Sequence, residues 1–139
     1  MPLGRVLITL ALISTIVGPL LADWNESHVF NPEWPPHARF HDVTGLSVTA
    51  GMALIGLWLL WRRSAGVRAH LVVASAIPLL ACVSLLIAML LPGTDVEDHA
   101  GETPRVFGFP LGPTLAVVFS AVAIVGYILT VRAERNGRS

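Results

Sequence analysis

Lysine is absent from this chain of 139 residues, and cysteine and tyrosine each occur once. Charge of either sign is scarce. Asp, Glu, Lys and Arg make up 13% of the residues, where a soluble domain carries about 25%. The single thiol, Cys82, lies inside an apolar run, so an intrachain disulfide and a CxxC metal motif are both excluded. It reads as a small buried hydrophobe. No glycine-rich phosphate loop is present, and no serine sits in a nucleophile-elbow context, so neither nucleotide binding nor the common hydrolase arrangement has a motif to stand on. The formal net charge is +0. Bulk charge therefore says nothing about nucleic acid, and no nucleic-acid partner is expected.

What is abundant is apolar surface. The chain is 54% hydrophobic with a mean hydropathy of +0.70. A soluble fold this small cannot hide so much apolar area, so the expected partner is the lipid bilayer. Four stretches lack Asp, Glu, Lys and Arg: 6–22, 43–61, 69–94 and 106–131. A spanning helix needs roughly 20 apolar residues. The expectation is all-α: one domain, 1–139, folded as an integral membrane antiparallel four-helix bundle with spans at about 3–22, 43–62, 69–92 and 108–131. Arg5 can snorkel at the start of the first span. Pro78 lies inside the third and predicts a kink. A cleaved leader is the rival reading of the first span.

The charges are sorted. Seven of the nine arginines (Arg5, Arg62, Arg63, Arg68, Arg132, Arg135, Arg138) fall at the termini or between spans two and three. Eight of the nine carboxylates fall in the other two connectors. The arginine-rich side is expected to be cytoplasmic, which makes this a multi-pass protein of the cell membrane with both termini inside. Trp58 and Trp61 fit the inner interface, and Trp24 and Trp34 the outer one. Small residues recur in span two (Gly45, Thr49, Gly51, Ala53, Gly56) and span four (Gly112, Ala116, Ser120, Ala123, Gly126). They suit close helix packing, and a homo- or hetero-oligomer is a further use for them.

The first outer connector carries the chemistry. Residues 23–42 read DWNESHVFNPEWPPHARFHD and hold three of the five histidines. Pro35 and Pro36 stop any helix running through, and Pro36 suits a first helical position. His37 and His41 then stand one turn apart on one face. Such a pair can grip a metal ion, with His28 and the carboxylates Asp23, Glu26 and Asp42 as further candidate ligands and zinc or iron as the expected ions. In an acid–base version His28, His37, His41 and Glu26 are the catalytic candidates. Trp24, Asn25, Asn31 and Trp34 are the candidates for holding a lipid-like small molecule, with membrane anchoring as the plain alternative for the tryptophans. Asn31–Pro32 also predicts a turn. His70 belongs to the opposite side. The second outer connector, with Asp95, Glu97, Asp98, His99 and Glu102, reads as a solvated link or an acidic lid, and Phe107 and Phe109 as residues dipping into the interface. A non-catalytic structural or ligand-binding subunit is the alternative function.

The segment W-N-x-x-H-x-x-N-P-x-W-P-P-H-x-x-F-H, at 24–41, resembles the signature of a family of small, uncharacterised four-helix membrane proteins. That resemblance implies a four-span fold and a shared outer site, with no reaction attached. A looser similarity, with different spacing, links the chain to the EXPERA group of membrane sterol isomerases and ligand-binding proteins. The fourth span here lacks the polar residues of that group. The similarity implies only a precedent for acid–base chemistry at a bilayer pocket.

Overall fold

The computed structural model describes residues 3–63, 66–97 and 101–136. It is all-helical apart from one small hairpin. The helices are α1 (Leu3–Asp23), α2 (Pro36–Trp61), α3 (Val67–Leu90) and α4 (Leu111–Asn136). Each is long and apolar enough to cross a membrane. The helix limits differ from the expected spans where local chemistry extends them. Pro36 starts α2 about two turns before the apolar stretch, because its fixed φ and missing N–H suit a helix start. The fourth helix begins at Leu111, because the preceding residues form β1 (Arg105–Val106) and β2 (Phe109–Pro110). His99, Asp98 and Arg138, singled out in the sequence, lie outside the described residues.

α1 packs against α4 and α2, and α3 against α2 and α4. The packing directions follow from individual contacts. Arg5, at the start of α1, donates from Nη1 to the carbonyl of Leu60 near the end of α2 at 3.3 Å. The Trp61 indole donates to Thr9 Oγ1 at 3.0 Å. A Cβ on Gly126 would fall 2.7 Å from the Gly4 carbonyl oxygen, so α1 and α4 touch backbone to backbone there. The start of α1 therefore meets the ends of α2 and α4, and connectors 24–35 and 91–110 share the opposite end.

The core is made of Ile8, Leu12, Ala53, Leu60, Leu71, Ala74 and Ile77. Small residues serve it unequally. Gly56 leaves room for Leu12 and Ile77, whereas a Cβ on Gly45, Gly51 or Gly112 would meet nothing. Pro78 is buried within α3, and its own carbonyl accepts from Ser120 Oγ of α4 at 3.1 Å. This bond ties α4 to α3 at the proline.

Burial is one-sided along the molecule. Moving toward the end with the two connectors, buried positions stop at Thr15 in α1 and Cys82 in α3, and none precedes Ser120 in α4. In α2 only Leu46 continues the buried face there. The tight core lies at the Arg5 end, and the helices leave their side chains open beneath the connectors.

The second connector is held by Glu97. Its Oε2 accepts from the backbone N–H groups of Gly101 and Thr103, and its Oε1 from Arg105 Nη2 at 2.6 Å. The Thr103 amide, then Arg105, hold this carboxyl below its ordinary range. The sequence reads this link as a solvated connector or an acidic lid, and three donors from Gly101, Thr103 and Arg105 converge on its Glu97 carboxylate.

Candidate functional site

The first connector is built by its two asparagines. Asn25 turns the chain out of α1. Its Nδ2 donates to the carbonyl of Ala22 at 2.6 Å, and its Oδ1 accepts from the Ser27 N–H at 2.8 Å. Asn31 repeats the device at the expected Asn–Pro turn. Its Nδ2 donates to the Ser27 carbonyl at 3.2 Å, and its Oδ1 accepts from the Glu33 N–H at 2.9 Å. Both side-chain amides, candidates for holding a small molecule, are engaged with the connector's own backbone. Val29, between them in sequence, is buried.

These bonds bear on the tautomer of a neutral His28. The Asn25 amide is oriented by backbone groups at both ends, so its Oδ1 can only accept. Ser27 Oγ lies 2.6 Å from it and must donate its single proton there. The same Oγ lies 2.8 Å from His28 Nδ1 and so accepts from that nitrogen. Neutral His28 therefore carries its proton on Nδ1 and leaves a lone pair on Nε2. Nε2 faces Asp23 Oδ1 at 3.9 Å. The Trp34 ring meets the imidazole edge-on, 5.2 Å between centroids.

Asp23 ends α1, just past the apolar stretch, and Asp42 enters from α2 just before it. Burial pushes the Asp23 carboxyl above its ordinary range, and Asp42 pushes it further, while His28 opposes them. Burial also raises Asp42, again against His28. Asp42 stands one turn before Leu46 and shares its buried face, and its Oδ2 is buried with no hydrogen-bond partner among the described residues. From the sequence Asp42 is a candidate further ligand for the histidines, and the structure places it on the inward face of α2. Its position one helical turn from an inward leucine was the signal.

His37 and His41 lie on the opposite face of α2. Their Nε2 atoms are 3.0 Å apart, as the one-turn spacing predicts, and both residues are exposed. The structure thus brings His37 to His41 and, separately, His28 to Asp23. Among the described residues no group of three or more His, Cys, Asp or Glu could hold a metal ion together. Glu26 is exposed, and Trp24 is half exposed with its ring edge-on to Phe30 at 5.6 Å.

Arg39 joins the connector to α2 by donating from Nη2 to the Asn31 carbonyl at 2.7 Å. Beside it Pro36, Phe40, Val43 and Val48 form an open, mostly apolar strip along one face of α2.

Residues 7–138 match a family described as a family of unknown function (DUF6640), and the chain belongs to that family. No curated protein and no solved structure matches it.

Proposed function

We propose that the chain is an integral membrane protein whose four helices form an antiparallel bundle in the cell membrane, with both termini cytoplasmic. Its external end would carry a proton-transfer site for a lipid-like substrate. The observation that carries this reading is the run of contacts from Asn25 Oδ1 to Ser27 Oγ to His28 Nδ1, at 2.6 and 2.8 Å, from which we infer a proton on Nδ1 and a basic Nε2 facing Asp23. A side chain merely filling a connector needs no tautomer set by two consecutive neighbours.

In this reading Nε2 of His28 takes a proton from the substrate, and Asp23 with Asp42 stabilises the imidazolium that results. Ser27 and Asn25 are positioning residues, acting through the ring. Trp34 walls the imidazole, and Trp24 anchors the connector at the interface. The arginine asymmetry of the connectors supports the orientation. The open helix ends and the apolar strip of α2 below Pro36 support a substrate arriving from the bilayer rather than from water. The W-N-x-x-H segment would be the site that members of the family share.

The test compares lipid extracts of cells producing the wild-type chain and the His28→Gln variant at equal levels. The expected result is one lipid species that accumulates in the variant while its product is depleted. Identical lipid profiles would overturn the enzymatic reading and leave a binding or bracing subunit.

A further inference from the structure

The His37–His41 pair takes no part in the His28 arrangement. Its two Nε2 atoms stand 3.0 Å apart, with the rings nearly perpendicular and 4.4 Å between centroids. Two nitrogens each about 2.0–2.1 Å from a tetrahedral zinc ion lie about 3.3 Å apart. The neutral pair joins through one N–H···N hydrogen bond, and a divalent cation can replace that shared proton. Phe40 restricts both rings, stacked on His37 at 6.3 Å and edge-on to His41 at 5.5 Å.

Two imidazoles are half of a closed zinc site. The other half has no source in this chain among the described residues. Both histidines face away from Leu46 and Ala53, the side of α2 that packs inward. A second copy of the chain is one source of the missing ligands. Copies inserted in a bilayer with one topology are related by a twofold axis along the membrane normal. Residues on that axis meet their own counterparts at the same depth. Bringing two α2 helices together along this face sets His37 and His41 of one copy beside the same two residues of the other. One turn below His41, Gly45 has nothing within reach of a Cβ, so a second helix can approach closely there.

We propose that His37 and His41 are half of a divalent-metal site of the zinc class, completed by the same pair from a second copy. Metal binding and dimer formation are then one event. The direction of the twofold axis rests on the membrane reading, and nothing in the site depends on His28.

The test uses the full chain in detergent micelles, stripped with EDTA and titrated with zinc chloride. Bound zinc is read by elemental analysis and mass by light scattering. The expected result is one zinc per two chains and a doubling of protein mass, both reversed by EDTA. His37→Ala and His41→Ala should each abolish both while keeping the helical content of the wild type. Gly45→Cys should cross-link between copies on oxidation when zinc is present and not after EDTA. One zinc per chain at unchanged mass, or no zinc at saturation, overturns the proposal. So does a dimer that survives both EDTA and the double histidine variant. His28→Gln should leave every one of these readouts unchanged, which separates this site from the proton-transfer reading.

Discussion

The Ser27 hydroxyl oxygen lies 2.8 Å from His28 Nδ1 and gives its only proton to Asn25, so it must accept the imidazole proton. A serine that could rotate would impose nothing. This one is constrained because the Asn25 amide is itself locked by the Ala22 carbonyl and the Ser27 N–H. Three adjacent side chains in an exposed connector thereby set a single tautomer. Ser27→Ala should release it. In 15N spectra of histidine-labelled protein, the wild type should show His28 with its proton on Nδ1, and the variant a mixture of both tautomers. The lost hydrogen bond should cost about 1 kcal/mol locally. An unchanged tautomer in the variant would mean that Ser27 does not hold the ring.

The carboxyls beside His28 make a second, signed prediction. Asp23 is raised first by burial, then by the charge of Asp42, and is lowered by His28. Asp42→Asn should therefore bring the Asp23 titration down, and His28→Ala should raise it. Carboxyl carbon shifts followed through a pH titration read both changes. A carboxyl raised in the folded state favours folding below its ordinary value, and this contribution is lost as pH rises through the raised value. Asp42→Asn should accordingly stabilise the protein at neutral pH and lose that advantage in acid.

Much of this was legible in the chain because bilayer physics leaves few choices. Runs without charge at the length of a span gave four helices, and Pro36 marked the start of α2. The one-turn pairing of His37 with His41 follows from the helix repeat alone. The grouping of His28 was not legible. Whether it joins the α2 pair depends on which face of α2 turns inward, and Leu46 and Ala53 settle that in three dimensions. The inward position of Asp42 went unseen for the same reason. The Glu97 knot was hidden too, since its donors are backbone amides that no residue pattern announces.

Glycines in these helices should divide sharply by position. A Cβ on Gly126 would press on the Gly4 carbonyl at 2.7 Å and on Ile8 at 2.9 Å. Backbone cannot yield as a side-chain tip does, so Gly126→Ala should destabilise by about 1–3 kcal/mol. At Gly51 an added methyl meets nothing, and Gly51→Ala should be neutral or gain up to about 1 kcal/mol from helix propensity. Thermal unfolding of both variants in one detergent checks the contrast. Equal effects would mean that α1 and α4 do not touch along this line.

The hairpin before α4 turns through Phe107 and Gly108, both at positive φ, 50° and 84°. Val106 pairs with Phe109 across this two-residue turn. Asparagine followed by glycine is the favoured pair for such a turn, because both residues must enter the left-handed region. Phenylalanine there costs roughly 1–2 kcal/mol, and at 97% exposure its ring recovers nothing from within the chain. Phe107→Asn should therefore tighten the turn in detergent, with slower hydrogen exchange at the Val106 and Phe109 amides. Phe109 beside Phe107 is also largely exposed, and on the membrane reading proposed above both rings would gain burial at the lipid interface. The same variant compared in lipid bilayers should show that advantage reduced or reversed. Faster exchange in detergent would show instead that the Phe107 ring stabilises the hairpin by itself.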